Sequence, residues 1–188
     1  MTTVAIKQQN KIHPHKFALW IAIGSMMMMF AGLTSAYILK RSQAGWVSFE
    51  LPVVFWISTV AIVISSVLMV FAVKSFKERN MPKYRMYTLA TLILGSIFIV
   101  LQVIGFVQLW NTGLTLQSTV SYSFLYVIVG IHAVHVLGGV AVLTVMALKA
   151  FSNKTRNYSL VPVQLASTYW HFVDLLWIYL LIFLLIIK

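Results

Sequence analysis

Five long apolar runs occupy most of this chain, at roughly 17–39, 51–73, 86–110, 121–148 and 163–187. Together they contain one formally charged side chain, Asp174. A helix needs about 20 apolar residues to cross the hydrocarbon core of a bilayer, and each run reaches that length. A water-soluble core does not account for the pattern. The chain is 61% hydrophobic and 9% charged, against about 45–50% and about 25% in soluble domains. The sequence predicts an all-α integral membrane protein, a bundle of five transmembrane helices in a single membrane domain over 1–188. The first run is too long for a signal-peptide h-region of about 7–15 residues, so no cleavable leader is expected. No internal repeat is evident, and five spans do not divide into a simple duplication.

The basic residues fall in the segments between the runs, and their distribution sets a direction. One side holds Lys7, Lys11, Lys16, Lys74, Lys77, Arg79, Lys83, Arg85, Lys149, Lys154 and Arg156; the other holds Lys40, Arg41 and Lys188. This asymmetry predicts an N-terminus inside and a C-terminus outside. The net charge of +11 is thus a topology signal, and no nucleic-acid partner is expected. Trp20, Trp46, Trp110 and Tyr122 fall near the expected interfaces, where amphipathic rings are favoured. There is no cysteine, which removes disulfides and thiolate metal sites.

Ionisable groups at membrane depth are costly, about 2.5–3.5 kcal/mol at mid-helix on insertion scales, so they should face protein and be paired. The fourth run carries GIHAVHVLGG, with His132 and His135 three apart on one helical face. The fifth carries YWHFVDLLW, with His171 and Asp174 at the same spacing. At a rise of 1.5 Å per residue, Asp174 lies about 15 Å and His135 about 20 Å from the same surface. The two pairs can therefore meet if the helices are neighbours. Three readings are open: a structural pin between helices, a proton relay through histidines that titrate near neutrality, or a metal site of three imidazoles and a carboxylate. Gly130, Ala133, Gly138 and Ala141 predict a close approach of another helix to the fourth, and Gly24, Ala31 and Gly32 to the first. The MMMM run at 26–29 points all round a helix and is read as packing. His13 and His15 precede the first span.

These motifs resemble subunit III of the haem–copper respiratory oxidases. GIHAVHVLGG (130–139) and YWHFVDLLW (169–177) are similar to the family's patterns in its last two helices. Weaker matches occur in MMFAGLTSAY (28–37), IVISSVLM (62–69) and LGSIFIVLQ (94–102). Five helices resemble the shorter bacterial form. The resemblance implies an accessory, non-redox subunit of a terminal oxidase in the bacterial inner membrane, most closely a cytochrome c oxidase. Such a subunit stabilises the catalytic subunit and supports proton uptake while oxygen is reduced to water. It implies subunits I and II as partners, with haem and copper held there and none here. It also implies bound phospholipid, and a larger respiratory supercomplex is a further assembly open to it. On this reading His132, His135, His171 and Asp174 form a structural polar cluster with no catalytic or metal-binding residue, and Lys149 matches a basic residue that contacts lipid phosphate.

The chain departs from the family at three positions that are often acidic, which here are Met26, Gly105 and Gln164. Their loss weakens a direct role in proton conduction. A quinol oxidase subunit III is the alternative within the class. Outside it stand a small proton-coupled membrane transporter, which favours broken helices and inverted repeats, and a stand-alone di-metal membrane oxidase.

Overall fold

The computed structural model describes residues 14–41, 52–111, 120–152 and 159–187. Lys7, Lys11, His13, Trp46, Lys154, Arg156 and Lys188 lie outside them. Five helices account for nearly all of the described residues: α1 Pro14–Arg41, α2 Val53–Lys77, α3 Met81–Asn111, α4 Val120–Phe151 and α5 Val161–Ile186. All five are long and apolar enough to cross a membrane. With no water in the hydrocarbon core, each backbone polar group must bond within its own segment, which a continuous helix achieves. Serine and threonine hydroxyls do the same by bonding back one turn, as Ser58 does to the Phe55 carbonyl and Thr144 to that of Val140.

Helices α2, α3, α4 and α5 close a ring in which each packs on the next and α5 returns to α2. Helix α1 lies outside the ring against α4 and α5 and makes no backbone approach to α2 or α3. The inward residues of α3 are Tyr84, Thr88, Thr91, Gly95, Phe98, Gln102, Gly105 and Leu109, spaced alternately four and three apart. A 3.5-residue period keeps one seam facing a neighbour and produces left-handed packing at a crossing angle near 20°. That seam carries Thr88, Thr91, Gly95, Gln102 and Gly105, while Val100, Val103 and Val107 on the same helix face outward. Lipid tails are as apolar as leucine, so close fit and interhelical hydrogen bonds, not apolarity, decide which face turns inward.

The α2–α3 connection differs from expectation. The polar stretch 74–85 reads as a loop, yet α2 continues to Lys77 and α3 begins at Met81, which leaves a turn of three residues. The amide of Arg79 donates to the Phe76 carbonyl and that of Asn80 to the Ser75 carbonyl, the paired bonds of a Schellman cap. Asn80 then caps α3, with its side-chain oxygen 3.4 Å from the Lys83 amide. Charge does not break α2, because Lys74 and Lys77 sit at its C-terminus, where the helix dipole favours cations. Another difference concerns Tyr122, which is buried in the bundle. Trp20 and Trp110 are exposed near helix ends as expected.

Candidate functional site

On α5, Trp170, Asp174 and Trp177 are spaced four and three apart, so they share one face, and all three are buried. The Trp170 indole N–H donates to Ser65 Oγ at 3.0 Å, and that of Trp177 donates to Thr59 Oγ1 at 2.9 Å. His171 Nδ1 and the Ser66 hydroxyl are hydrogen-bonded at 2.6 Å. As residue numbers rise on α5 they fall on α2, so the two helices run antiparallel. The polar contacts of α5 are therefore mostly with α2, through hydroxyls at 59, 65 and 66.

Trp170 also fixes the bundle in the other direction. A Cβ built on Gly95 of α3 would stand 2.6 Å from Trp170 Cη2, and one on Gly139 of α4 would stand 2.9 Å from Cε3 and Cζ3. The indole is 1% exposed and fills a slot that only two glycines leave open. Two turns along, Trp177 stacks on His132 with ring centroids 5.1 Å apart and packs edge-on to Phe98 at 5.2 Å. Tyr169 donates its hydroxyl to the His135 carbonyl of α4 at 3.0 Å.

A hydrogen bond from His132 or His135 to Asp174, the form a structural pin between α4 and α5 would take, is not formed. His135 Nδ1 donates within its own helix, to the Ile131 carbonyl at 2.8 Å. His132 is fully buried in an aromatic cage of Phe30, Phe98 and Trp177. Among the described residues, neither its ring nitrogens nor the Asp174 carboxylate oxygens have a hydrogen-bond partner. The reason is geometric. Asp174 lies on the tryptophan stripe that bonds to α2, close to Ser66, and its side chain is short. The indole of Trp177 fills the place beside His132 that a partner would take. Among the described residues, no three of the His, Asp and Glu side chains converge as a metal-binding set would. The four candidate residues are thus dispersed: His171 and Asp174 on α5 turn toward α2, while on α4 His132 packs among Phe30 of α1, Phe98 of α3 and Trp177 of α5, and His135 lies beside Phe30.

Sequence reasoning missed the α2 hydroxyls and the Gly95–Gly139 slot. A signal was present: the pairs Ser58–Thr59 and Ser65–Ser66 recur seven residues apart, as do Trp170 and Trp177. Of the small residues expected to admit a helix, Gly24, Gly32 and Gly130 have open space beside them. Lys149 is exposed in the last turn of α4. That helix end is closed by Arg85, whose Nε donates to the Ala150 carbonyl at 2.6 Å and whose guanidinium lies 5.6 Å from the centre of the Phe151 ring. Met26 is half-buried on α1. A Cβ on Gly105 would meet Phe55 Cζ at 3.1 Å, so an aromatic ring occupies the space beside it. Gln164 lines an open cleft of about 350 Å³ with Lys16, Trp20, Val73, Ser167 and Thr168.

Comparison with known proteins matches residues 16–187 to the family model described as cytochrome c oxidase subunit III. Among curated relatives, cytochrome c oxidase subunit 3 of Corynebacterium diphtheriae is 31% identical over 170 residues, covering 86% of this chain and 82% of that protein. The protein of the same name from Bacillus subtilis is 27% identical over 183 residues, or 94% and 86% of the two chains. The quinol oxidase subunit 3 of Bacillus subtilis is 28% identical over 166 residues, or 86% and 81%.

Proposed function

The chain belongs to the cytochrome c oxidase subunit III family, and on that premise we propose that it is an accessory, non-redox subunit of a bacterial terminal oxidase. It stabilises the catalytic subunit and supports proton uptake while the complex reduces oxygen to water. Subunits I and II are its partners and hold the haem and copper. The observation that carries this reading is the use made of the YWHFVDLLW segment. Its two tryptophans and His171 are committed to packing and hydrogen bonds with α2, α3 and α4. The segment with the strongest family pattern is thus a strut.

Orientation follows from the charge asymmetry, with the α2–α3 turn and the α4 C-terminus facing the cytoplasm. Lys149 is then at the level of inner-leaflet phosphates and available to bind lipid. The second reading, a quinol oxidase, is favoured by the similarity to a relative of that name. The two differ in the electron donor, which acts on other subunits.

Asp174 supplies the functional test. Purified in mild detergent, the complex should show haem absorption, while this subunit, once separated, carries no stoichiometric haem, copper or iron. Asp174→Asn should assemble better than Asp174→Leu, because it keeps the shape and hydrogen-bonding capacity beside Ser66. Both should lower subunit content while initial oxygen consumption by the remainder is largely kept. Normal assembly of Asp174→Asn with loss of initial turnover would mean that the carboxyl carries protons, and the strut reading would be wrong.

A further inference from the structure

We propose that the α2–α3 turn is a binding site for the phosphate of an anionic phospholipid, with Arg79 as its central cation. This rests on the helices crossing a membrane with that turn at the anionic face, and not on the subunit's role in an oxidase.

Arg79 has φ 56° and is the one non-glycine residue with positive φ among the described residues. It occupies the C′ position of the Schellman cap, where glycine is usual because a Cβ is strained in the left-handed region. A non-glycine residue held there invites a functional explanation for its side chain. The turn around it is rigid. Two backbone bonds close the end of α2 and Asn80 opens α3. Just beneath, Phe76 meets Tyr84 edge-on with centroids 4.9 Å apart. Lys74, Lys77, Arg79 and Lys83 are all exposed, against one acidic residue, Glu78.

Depth decides the partner. The apolar part of α2 ends at Val73, and one further turn, about 6 Å at 1.5 Å per residue, carries the chain to Lys77. The headgroup layer is about 5–7 Å thick on each side of the hydrocarbon core. The cations therefore stand at phosphate level, within reach of lipid and short of the cytosol where a soluble acidic protein would dock. A planar guanidinium matches a phosphate with two parallel N–H bonds.

The test uses the purified complex in phosphatidylcholine nanodiscs with and without phosphatidylglycerol, comparing wild type, Arg79→Gly and Lys16→Gln. Arg79→Gly relieves the backbone, so its thermal midpoint in phosphatidylcholine should equal or exceed wild type. Native mass spectrometry should show its retained phosphatidylglycerol reduced roughly fivefold, which corresponds to about 1 kcal/mol for one basic residue at an anionic surface. Lys16→Gln should retain the wild-type amount. Three results would overturn the proposal: equal retention by Arg79→Gly, an equal loss in Lys16→Gln (charge without a site), or loss of another protein chain with lipid unchanged.

Discussion

Adding one methyl group at Gly95 is the most direct test of how this bundle is held. The new Cβ would lie 2.6 Å from Trp170 Cη2 and 2.9 Å from Cζ2, so the ring must move by about 0.8 Å to regain a 3.4 Å contact. It has little freedom to do so. Its N–H is bonded to Ser65 at 3.0 Å, and Gly139 closes the slot at its other edge. Overpacking of this kind costs about 1–3 kcal/mol, while the better helix propensity of alanine returns up to about 1 kcal/mol. A net loss of about 1–2 kcal/mol should lower the thermal midpoint by about 2–4 °C per kcal/mol for a chain of this size. Gly139→Ala, with its nearest contact at 2.9 Å, should lose less. Gly32→Ala, with nothing within 4 Å, should lose nothing. Thermal unfolding in mild detergent gives the ranking. Trp170→Phe removes the clashing atoms, so in a double-mutant cycle with Gly95→Ala the two losses should sum to more than the measured pair. Equal midpoints for Gly95→Ala and Gly32→Ala would refute the slot.

The remaining expectations concern the α2–α5 bond, the filled acidic position and the orientation. Ser66→Ala and His171→Ala should each destabilise modestly and show a coupling energy of about 0.6 kcal/mol, the average for interhelical hydrogen bonds in membranes; zero coupling would remove their bond from the account. Gly105→Glu, which restores an acidic residue common in the family, should fail to assemble because Phe55 stands 3.1 Å from the new Cβ, and Phe55→Ala should partly rescue it. Cysteines placed at the exposed Lys77 and Ser152 should resist a membrane-impermeant thiol reagent in intact cells, and labelling of both would reverse the orientation. Ser75, although polar and in the same stretch, is buried and would report burial instead of sidedness.

Much of the architecture was legible in the chain. Runs that span a bilayer with a single charged side chain among them leave helices as the outcome, and all five lie where those runs are, with ends shifted by a few residues. The largest shift, at 74–85, arose because polar residues were read as a loop, whereas Lys74 and Lys77 are favoured by the dipole at the C-terminus of α2 and the Asn80 side chain caps the start of α3. The family was legible too, since YWHFVDLLW is long and rich in uncommon residues and GIHAVHVLGG accompanies it. Which helix each polar side chain serves was not. His171 and Asp174 share a helix with Trp170 and Trp177, and sequence spacing alone did not show that the tryptophan stripe faces the α2 hydroxyls. Glycine shows the same limit. Gly95 and Gly139 accommodate an indole, while Gly24, Gly32 and Gly130 of similar context meet open space. The reason is physical: in lipid, apolar side chains are equally at home on the outer surface and in the core. Hydrophobicity therefore fixes how many helices form and which stretches of the chain they span. Their rotation about their axes, and with it the partner of every buried polar group, is decided by steric fit among neighbours, which exists only once the bundle is assembled.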